Sequence, residues 1–453
     1  MSQAGFVDRV NALRWLATAV FSLAAAGILS LVLVLGRLPF TQRLISPDFA
    51  RKCLVIHVNL ALGIWFSCIL CALIYLLPVR NPRRRGFAPV FLTWLGLGML
   101  FVSAFLPSTR AVISNYVPVL GGSVLFFLGL GLVVLGVLGV VGNGRLVRVV
   151  SFQDMLWREG GGSVLPCAAV WGIRVAVLSF CLGLVGIGLS YMYTPSSLSA
   201  RVYYELLFWG GGHIFQFANV ATAISVWWIL LWHLGVEEVW QERVSFFLFF
   251  LFLLPIVLFL RTIFYGTTSP LYYQGAIDMM RWGICPVATP FLLICFWLLL
   301  RRVGTFRSFA ASATITSLVL MLTSFILGFL ITASDTLIPA HYHASLGSIT
   351  VAYMGLIFCV LEWFGYRFWG RWQRRLAFWQ PVLYGGGQFI FAVGFGYARM
   401  LRKVYGYEQQ ITTFSQYIGL VLMGVGGLFA ILGGVLFFVL LWQKVRGEFF
   451  EGD

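Results

Sequence analysis

From Trp15 to Trp442 the sequence is a succession of apolar runs separated only by short polar breaks. Most runs reach about 18 residues or more, enough to cross a bilayer as helix, where a backbone must satisfy its own hydrogen bonds. The chain therefore reads as an all-α integral membrane protein of about 12 transmembrane helices in a single domain, 1–453. The expected helices lie near 15–37, 53–77, 87–106, 119–142, 167–191, 202–234, 245–264, 275–300, 308–332, 338–365, 376–398 and 413–443. The first run lacks a small-residue cleavage site followed by a polar stretch, so it is expected to be retained as the first helix. Of the 453 residues, 60% are hydrophobic and 10% charged. Soluble domains run at about a quarter charged, so the solvent for most of this surface is lipid.

A formal net charge of +16 suggests nucleic acid at first sight, but the cations are dispersed over short connections between apolar runs. Membrane orientation accounts for them better, and no nucleic-acid partner is expected. The heavier clusters are Arg80 with Arg83, Arg84 and Arg85; Arg145, Arg148 and Arg158; Arg301, Arg302 and Arg307; and Arg367, Arg371, Arg374 and Arg375. They fall in alternate connections, which makes that side cytoplasmic, with both termini inside. Two connections on the other side break the pattern: Arg43, Arg51 and Lys52, then Arg399, Arg402 and Lys403. Such cations want a local anion, either lipid phosphate or a buried carboxylate such as a haem propionate.

The eight cysteines lie almost entirely in apolar runs and read as packing. Cys68 and Cys71 are spaced as a redox pair, but they sit mid-helix with no following histidine.

The five histidines are His57, His213, His233, His341 and His343. An imidazole inside a membrane is either an interhelical hydrogen-bonder or functional, and position separates the two. His57 is one turn into helix 2, His341 and His343 open helix 10, and His213 lies in the outer half of helix 6. All four fall in the outward half of the membrane. His233 is roughly 30 Å from His213 along the same helix at ~1.5 Å per residue, and reads as structural. Successive helical residues turn by about 100°, so His341 and His343 point to opposite faces of helix 10. One helix can then serve two haem irons, a six-coordinate one held by two histidines and a reactive one held by a single histidine. The triplets Gly210-Gly211-Gly212 before His213 and Gly385-Gly386-Gly387 remove side-chain bulk, for a flat group or for neighbouring backbone.

With these residues in view, the chain resembles subunit I of the haem–copper oxidase superfamily, which includes cytochrome oxidases and bacterial nitric oxide reductases. Pro339-Ala340-His341-Tyr342-His343 is similar to the family's His-x-His segment on helix 10. The resemblance implies His341 as ligand of a high-spin haem and His343 as ligand of a low-spin haem. His57, in His57-Val58-Asn59-Leu60, matches the second low-spin ligand, and Gly212-His213 matches the Gly-His that supplies one ligand of a distal metal. Arg402 and Lys403 fall where the family carries a basic pair near the haem propionates. The implied cofactors are two haems, b-type, with His213 and His341 at the reactive centre.

Two departures set this chain apart. The family's adjacent histidines at the end of helix 7 are replaced by Phe259-Leu260-Arg261-Thr262-Ile263-Phe264, and the Glu-Val-Tyr after the helix 6 histidine is replaced by Phe215-Gln216-Phe217. A copper or non-haem iron wants three or more protein ligands, and His213 alone supplies one. Arg261 would instead make the pocket cationic, with Asp278, Tyr272 and Tyr273 as further neighbours. Glu205 reads as a proton carrier or as a helix-end acid, and Thr314, Thr316, Ser317, Thr323, Ser324 and Tyr353 as a polar path or as internally bonded hydroxyls.

Three functions are compatible with the residues. The first is a dihaem terminal oxidoreductase reducing O₂ or a nitrogen oxide. The second is a divergent or non-catalytic dihaem electron-transfer subunit lacking the distal metal. The third is a 12-helix secondary transporter, which the span count and the basic loop Asn81-Pro82-Arg83-Arg84-Arg85-Gly86 between helices 2 and 3 resemble, although that loop lacks the transporter motif's aspartate. The resemblance implies a cytochrome c or cupredoxin-type electron-donor subunit, or quinol, and other membrane subunits. It also implies location in a bilayer, as in a bacterial inner membrane.

Overall fold

The computed structural model describes residues 7–79, 87–149, 165–236, 240–301, 307–368, 370–401 and 404–446. Twelve long helices run through them. They are α1 Arg9–Leu35, α2 Pro47–Leu76, α3 Phe87–Ala104, α4 Val124–Val141, α5 Cys167–Tyr193 and α6 Ala200–His233. The remainder are α7 Trp240–Ile263, α8 Pro270–Leu300, α9 Phe309–Phe329, α10 Leu337–Trp363, α11 Arg371–Ala398 and α12 Phe414–Arg446. Eleven are long and apolar enough to cross a membrane. The other, α11, opens on Arg371, Arg374 and Arg375 and carries Gln380, Gln388 and several glycines further on, so that no stretch of it is as apolar as the rest. The chain is an all-α integral membrane protein.

Polar start signals explain where helix ends differ from expectation. α2 begins at Pro47 because the Ser46 hydroxyl accepts from Phe49 N at 3.3 Å and Pro fills the first helical position, where no N–H is needed. α8 begins at Pro270 for the same reason, with Ser269 accepting from Leu271 N. Before α4 the chain forms a hairpin, Arg110–Val112 paired antiparallel with Val119–Gly121, where helix was expected from residue 119. Two π-helical turns interrupt the regular ladder, Asn59–Ile64 in α2 and Met280–Ile284 in α8.

Packing groups the chain into two units. One comprises Met1–Ala26, Leu54–Ser225 and Glu238–Phe291. Within it α3 meets α4 through Gly96 and Gly129, so closely that a Cβ on Gly129 would lie 2.8 Å from the Gly96 carbonyl oxygen. The other comprises Gly27–Cys53, Val226–Glu237 and Leu292–Asp453. Here α11 and α12 share a glycine seam with one glycine every seven residues: Gly394 meets Gly419, Gly387 meets Gly426, and Gly433 meets the backbone of Tyr384. A Cβ on Gly433 would sit 2.5 Å from Tyr384 N, and one on Gly394 2.6 Å from the Gly419 carbonyl oxygen. Small residues let backbones touch where lipid offers no hydrophobic drive for association. The second glycine triplet, whose Gly387 belongs to this seam, is thus a packing feature. The seam fixes Phe391 and Phe395 in a core cluster with Leu337, Ala340 and Ala344 of α10.

Candidate functional site

α10 carries His341 and His343 near its start, which is tied down by Thr336. The Thr336 hydroxyl donates to the Phe395 carbonyl at 2.8 Å and accepts from Met400 N at 3.0 Å. One turn on, His341 Nδ1 lies 2.8 Å from the Ser324 carbonyl oxygen of α9. A carbonyl only accepts, so Nδ1 carries the proton and the ring's lone pair sits on Nε2. Gly328 lies against this ring, where a Cβ would be 3.1 Å from Cε1. His343 turns the other way: its Nδ1 is 3.0 Å from Gln388 Oε1 of α11, and Phe391 covers the ring at 3.9 Å between centroids. The two histidines thus engage different neighbouring helices, as the 100° turn per residue dictates.

His57 repeats the arrangement in the first unit. Its Nδ1 lies 2.9 Å from the Ala26 carbonyl oxygen of α1, again fixing the lone pair on Nε2. The π-turn begins two residues later. Asn59 Nδ2 donates to the carbonyls of Val55 and Pro118, both at 2.8 Å, and the Ser22 hydroxyl donates to Leu60 O at 2.9 Å. Around the widened turn the Val55 carbonyl is thereby taken by Asn59 of the same helix and the Leu60 carbonyl by Ser22 of α1.

His213 is different. Its Nδ1 donates to the Trp209 carbonyl of its own helix, and the ring is boxed by Tyr116 at 4.3 Å and Trp209 at 4.5 Å between centroids. Trp209 in turn stacks on Tyr273 at 4.2 Å and 8°. The preceding glycines serve this packing. Gly212 abuts the Tyr116 ring, Gly211 the Gly183 carbonyl of α5, and Gly210 N donates to Tyr272 Oη at 2.8 Å. Protein, and not a flat ligand, fills the space that the first triplet opens. Of the expected neighbours, Tyr272 and Tyr273 do reach the His213 turn. Arg261 is exposed and does not make the pocket cationic, and Asp278 accepts from Gln274 at 2.9 Å within its own helix. Glu205 accepts from Asn115 N at 2.9 Å and also from its side-chain amide.

As a copper or non-haem iron site these surroundings do not fit, because the contacts on the His213 ring are the aromatic faces of Tyr116 and Trp209. Among the described residues, no group of three His, Cys, Asp or Glu side chains converges. For haem the donors of His57, His341 and His343 fit: neutral imidazoles oriented through Nδ1, the outer-shell arrangement that metal-ligating histidines use.

The cations that break the charge alternation require a correction. Arg51 pairs with Glu408, Lys52 with Asp48 at 3.5 Å and Arg399 with Asp335 at 2.6 Å, so these three have protein carboxylates and no need of a propionate. Arg402 and Lys403 lie outside the described residues. The cation that sequence reasoning missed is Arg37, just past α1 and 3% exposed. It donates to Gln409 Oε1 at 3.3 Å and to the Leu401 carbonyl at 3.4 Å, lies over Tyr405 at 4.4 Å, and its Nε has no partner among the described residues. Burial holds its guanidinium below the usual range, with Tyr405 opposing that shift. Arg37 also lies 5.6 Å from the ring of Phe395, which edges His343 at 6.3 Å. The available signal was a lone arginine directly ending an apolar run.

His233, expected to be structural, bonds Glu362 at 3.3 Å, and Glu362 also binds Lys444 at 3.1 Å. The proposed polar path is mostly satisfied locally. Thr314 and Thr323 bond back to their own helix, and Ser317 joins α9 to Ser348 of α10.

No family model matches the sequence. An uncharacterized protein of Aquifex aeolicus (strain VF5) is 30% identical over 359 residues, spanning 78% of this chain and 85% of that one. The chain belongs to that protein's family. It is also similar to the uncharacterized protein RP382 of Rickettsia prowazekii (strain Madrid E), 26% identical over 498 aligned positions and covering 93% of each chain. Both relatives come from bacteria.

Proposed function

We propose that the chain is a dihaem membrane oxidoreductase, in which electrons pass from a low-spin haem to a high-spin haem for reduction of O₂ or a nitrogen oxide. The observation that carries this reading is the shared state of His57, His341 and His343. Each donates Nδ1–H to an oxygen on a neighbouring helix and so keeps its lone pair on Nε2. Following the resemblance, His57 and His343 would be the axial ligands of the low-spin haem and His341 the ligand of the high-spin haem. Bound haem supplies reversible one-electron chemistry at its iron. The chain's own residues do the rest: Ala26, Ser324 and Gln388 hold the ring planes, and a hydrogen-bonded Nδ1–H raises the basicity of Nε2. Arg37 offers a buried, unmatched positive charge beside the His343 cluster, suited to a ligand carboxylate.

A second reading, an electron-transfer protein without gas reduction, draws on the aromatic box around His213. The visible spectrum of purified protein tests both. A Soret band is expected; its absence would end the haem reading and leave the transporter. A reduced-plus-CO difference spectrum in which part of the haem shifts favours gas reduction, and no shift favours electron transfer alone. His341→Ala is expected to remove the CO-reactive component and spare the low-spin signal, and His57→Ala to do the reverse.

A further inference from the structure

At the far end of α10 from the histidine pair lies a cleft of about 370 Å³, lined by His233, Glu362, Trp363, Arg367, Phe368 and Arg374. Its charges do not balance. Glu362 is the one acidic side chain in the lining, and it is committed to Lys444 at 3.1 Å. Lys444 is fully buried, with its ammonium 3.7 Å from the Phe368 ring centre, so it cannot turn to another partner. The second oxygen of Glu362 faces His233 at 3.3 Å. Arg367 and Arg374 are exposed and have no carboxylate partner among the described residues.

The backbone adds to the imbalance. Arg374 belongs to the start of α11, which also carries Arg371 and Arg375 and has no acidic residue in its first turn. A helix N-terminus already bears partial positive charge, so arginines there favour an anion. Two guanidinium forks beside a cleft suit a phosphate, whose oxygens accept paired N–H groups. The position identifies the source. The cleft sits where the spanning helix α10 ends at Trp363, and exposed Trp372 and Trp379 lie within two turns of Arg374 along α11. Tryptophan is enriched at the membrane–water boundary, and charge counting assigns this end to the cytoplasmic side, whose leaflet carries anionic headgroups.

We propose that this cleft binds the phosphate of an anionic phospholipid headgroup through Arg367 and Arg374, with the Glu362–Lys444 pair as a neutral floor. The proposal stands independently of any haem. It is tested by reconstituting the protein in nanodiscs of phosphatidylcholine alone or with added phosphatidylglycerol, and by measuring thermal stability and the phosphatidylglycerol retained on re-extraction. Inorganic phosphate added to the phosphatidylcholine discs forms a third arm.

Wild type is expected to gain stability with phosphatidylglycerol and to retain it. The double variant Arg367→Gln with Arg374→Gln is expected to bind it about thirtyfold more weakly, from two basic groups at the membrane surface. Arg367→Lys with Arg374→Lys keeps the charge, loses the fork, and is expected to fall between the two. Equal retention by wild type and the glutamine variant, with matching helix content by circular dichroism, would overturn the site. Stabilisation by inorganic phosphate with none from phosphatidylglycerol would overturn the lipid as its occupant.

Discussion

Removing the Glu362 carboxylate should harm the protein more than removing the lysine it binds. In Glu362→Gln the Lys444 ammonium stays at 0% exposure with the aromatic faces of Phe309, Phe358 and Phe368 around it and no anion. Stranding one member of a buried pair costs about 3–5 kcal/mol, and the cation–π contacts, present with or without the carboxylate, do not offset it. In Lys444→Met an apolar side chain of similar length replaces the stem, while Glu362 is still 26% exposed and keeps His233. The expected loss is about 1 kcal/mol or less. The double variant has no stranded charge, so it should resemble Lys444→Met and fall well short of the sum of the two. The cysteines report the unfolding directly, because all eight are free thiols and buried or half-buried. A thiol-reactive dye in a temperature ramp on detergent-purified protein gives the four midpoints of the cycle. Equal midpoints for the two single variants, or strict additivity in the double variant, would refute the argument that a buried, stranded ammonium sets the cost.

Four further outcomes are expected. Gly426→Leu should abolish recovery of folded protein, because a Cβ there would lie 2.6 Å from the Gly387 carbonyl oxygen. Gly434→Leu on the same helix should be tolerated, since nothing lies within 4 Å; size-exclusion chromatography of the two variants checks both. Arg145→Met should cost about 1–3 kcal/mol, because its guanidinium occupies the carbonyls of Ile74, Tyr75 and Leu77 at the end of α2; dye unfolding measures it. Arg51→Gln, which breaks only a surface pair with Glu408, should move the midpoint by no more than about 1 kcal/mol equivalent. If haem is bound, Gln388→Leu should shift the midpoint potential of the low-spin component in a redox titration without abolishing its spectrum, because it removes only the acceptor of His343 Nδ1.

The positions of the helices were legible because lipid leaves a spanning chain little choice: each apolar run must close its own hydrogen bonds, and helix is the local way to do so. The divergence of His341 and His343 was legible for a similar reason, since the rotation per residue is a property of the helix itself. Helix starts at Pro47 and Pro270 were missed, because polar first turns look like loop until their serine caps are recognised.

Partnership was decided only in three dimensions. The glycines before His213 suggested room for a ligand as readily as close packing, and the approach of Tyr116, Tyr272 and α5 settled it. The stray cations suggested a bound anion, yet Arg51 and Arg399 found carboxylates on distant segments and Lys52 found Asp48 one turn back on its own helix, while buried Arg37 is one arginine among many in the sequence. What the sequence by itself determined, then, was the set of spans and that His341 and His343 point to different neighbours. Only the tertiary structure decided that the rings of His57, His341 and His343 donate Nδ1–H to Ala26, Ser324 and Gln388, because those acceptors lie on other helices, and packing across the bundle, not local periodicity, selects which carbonyl a ring meets.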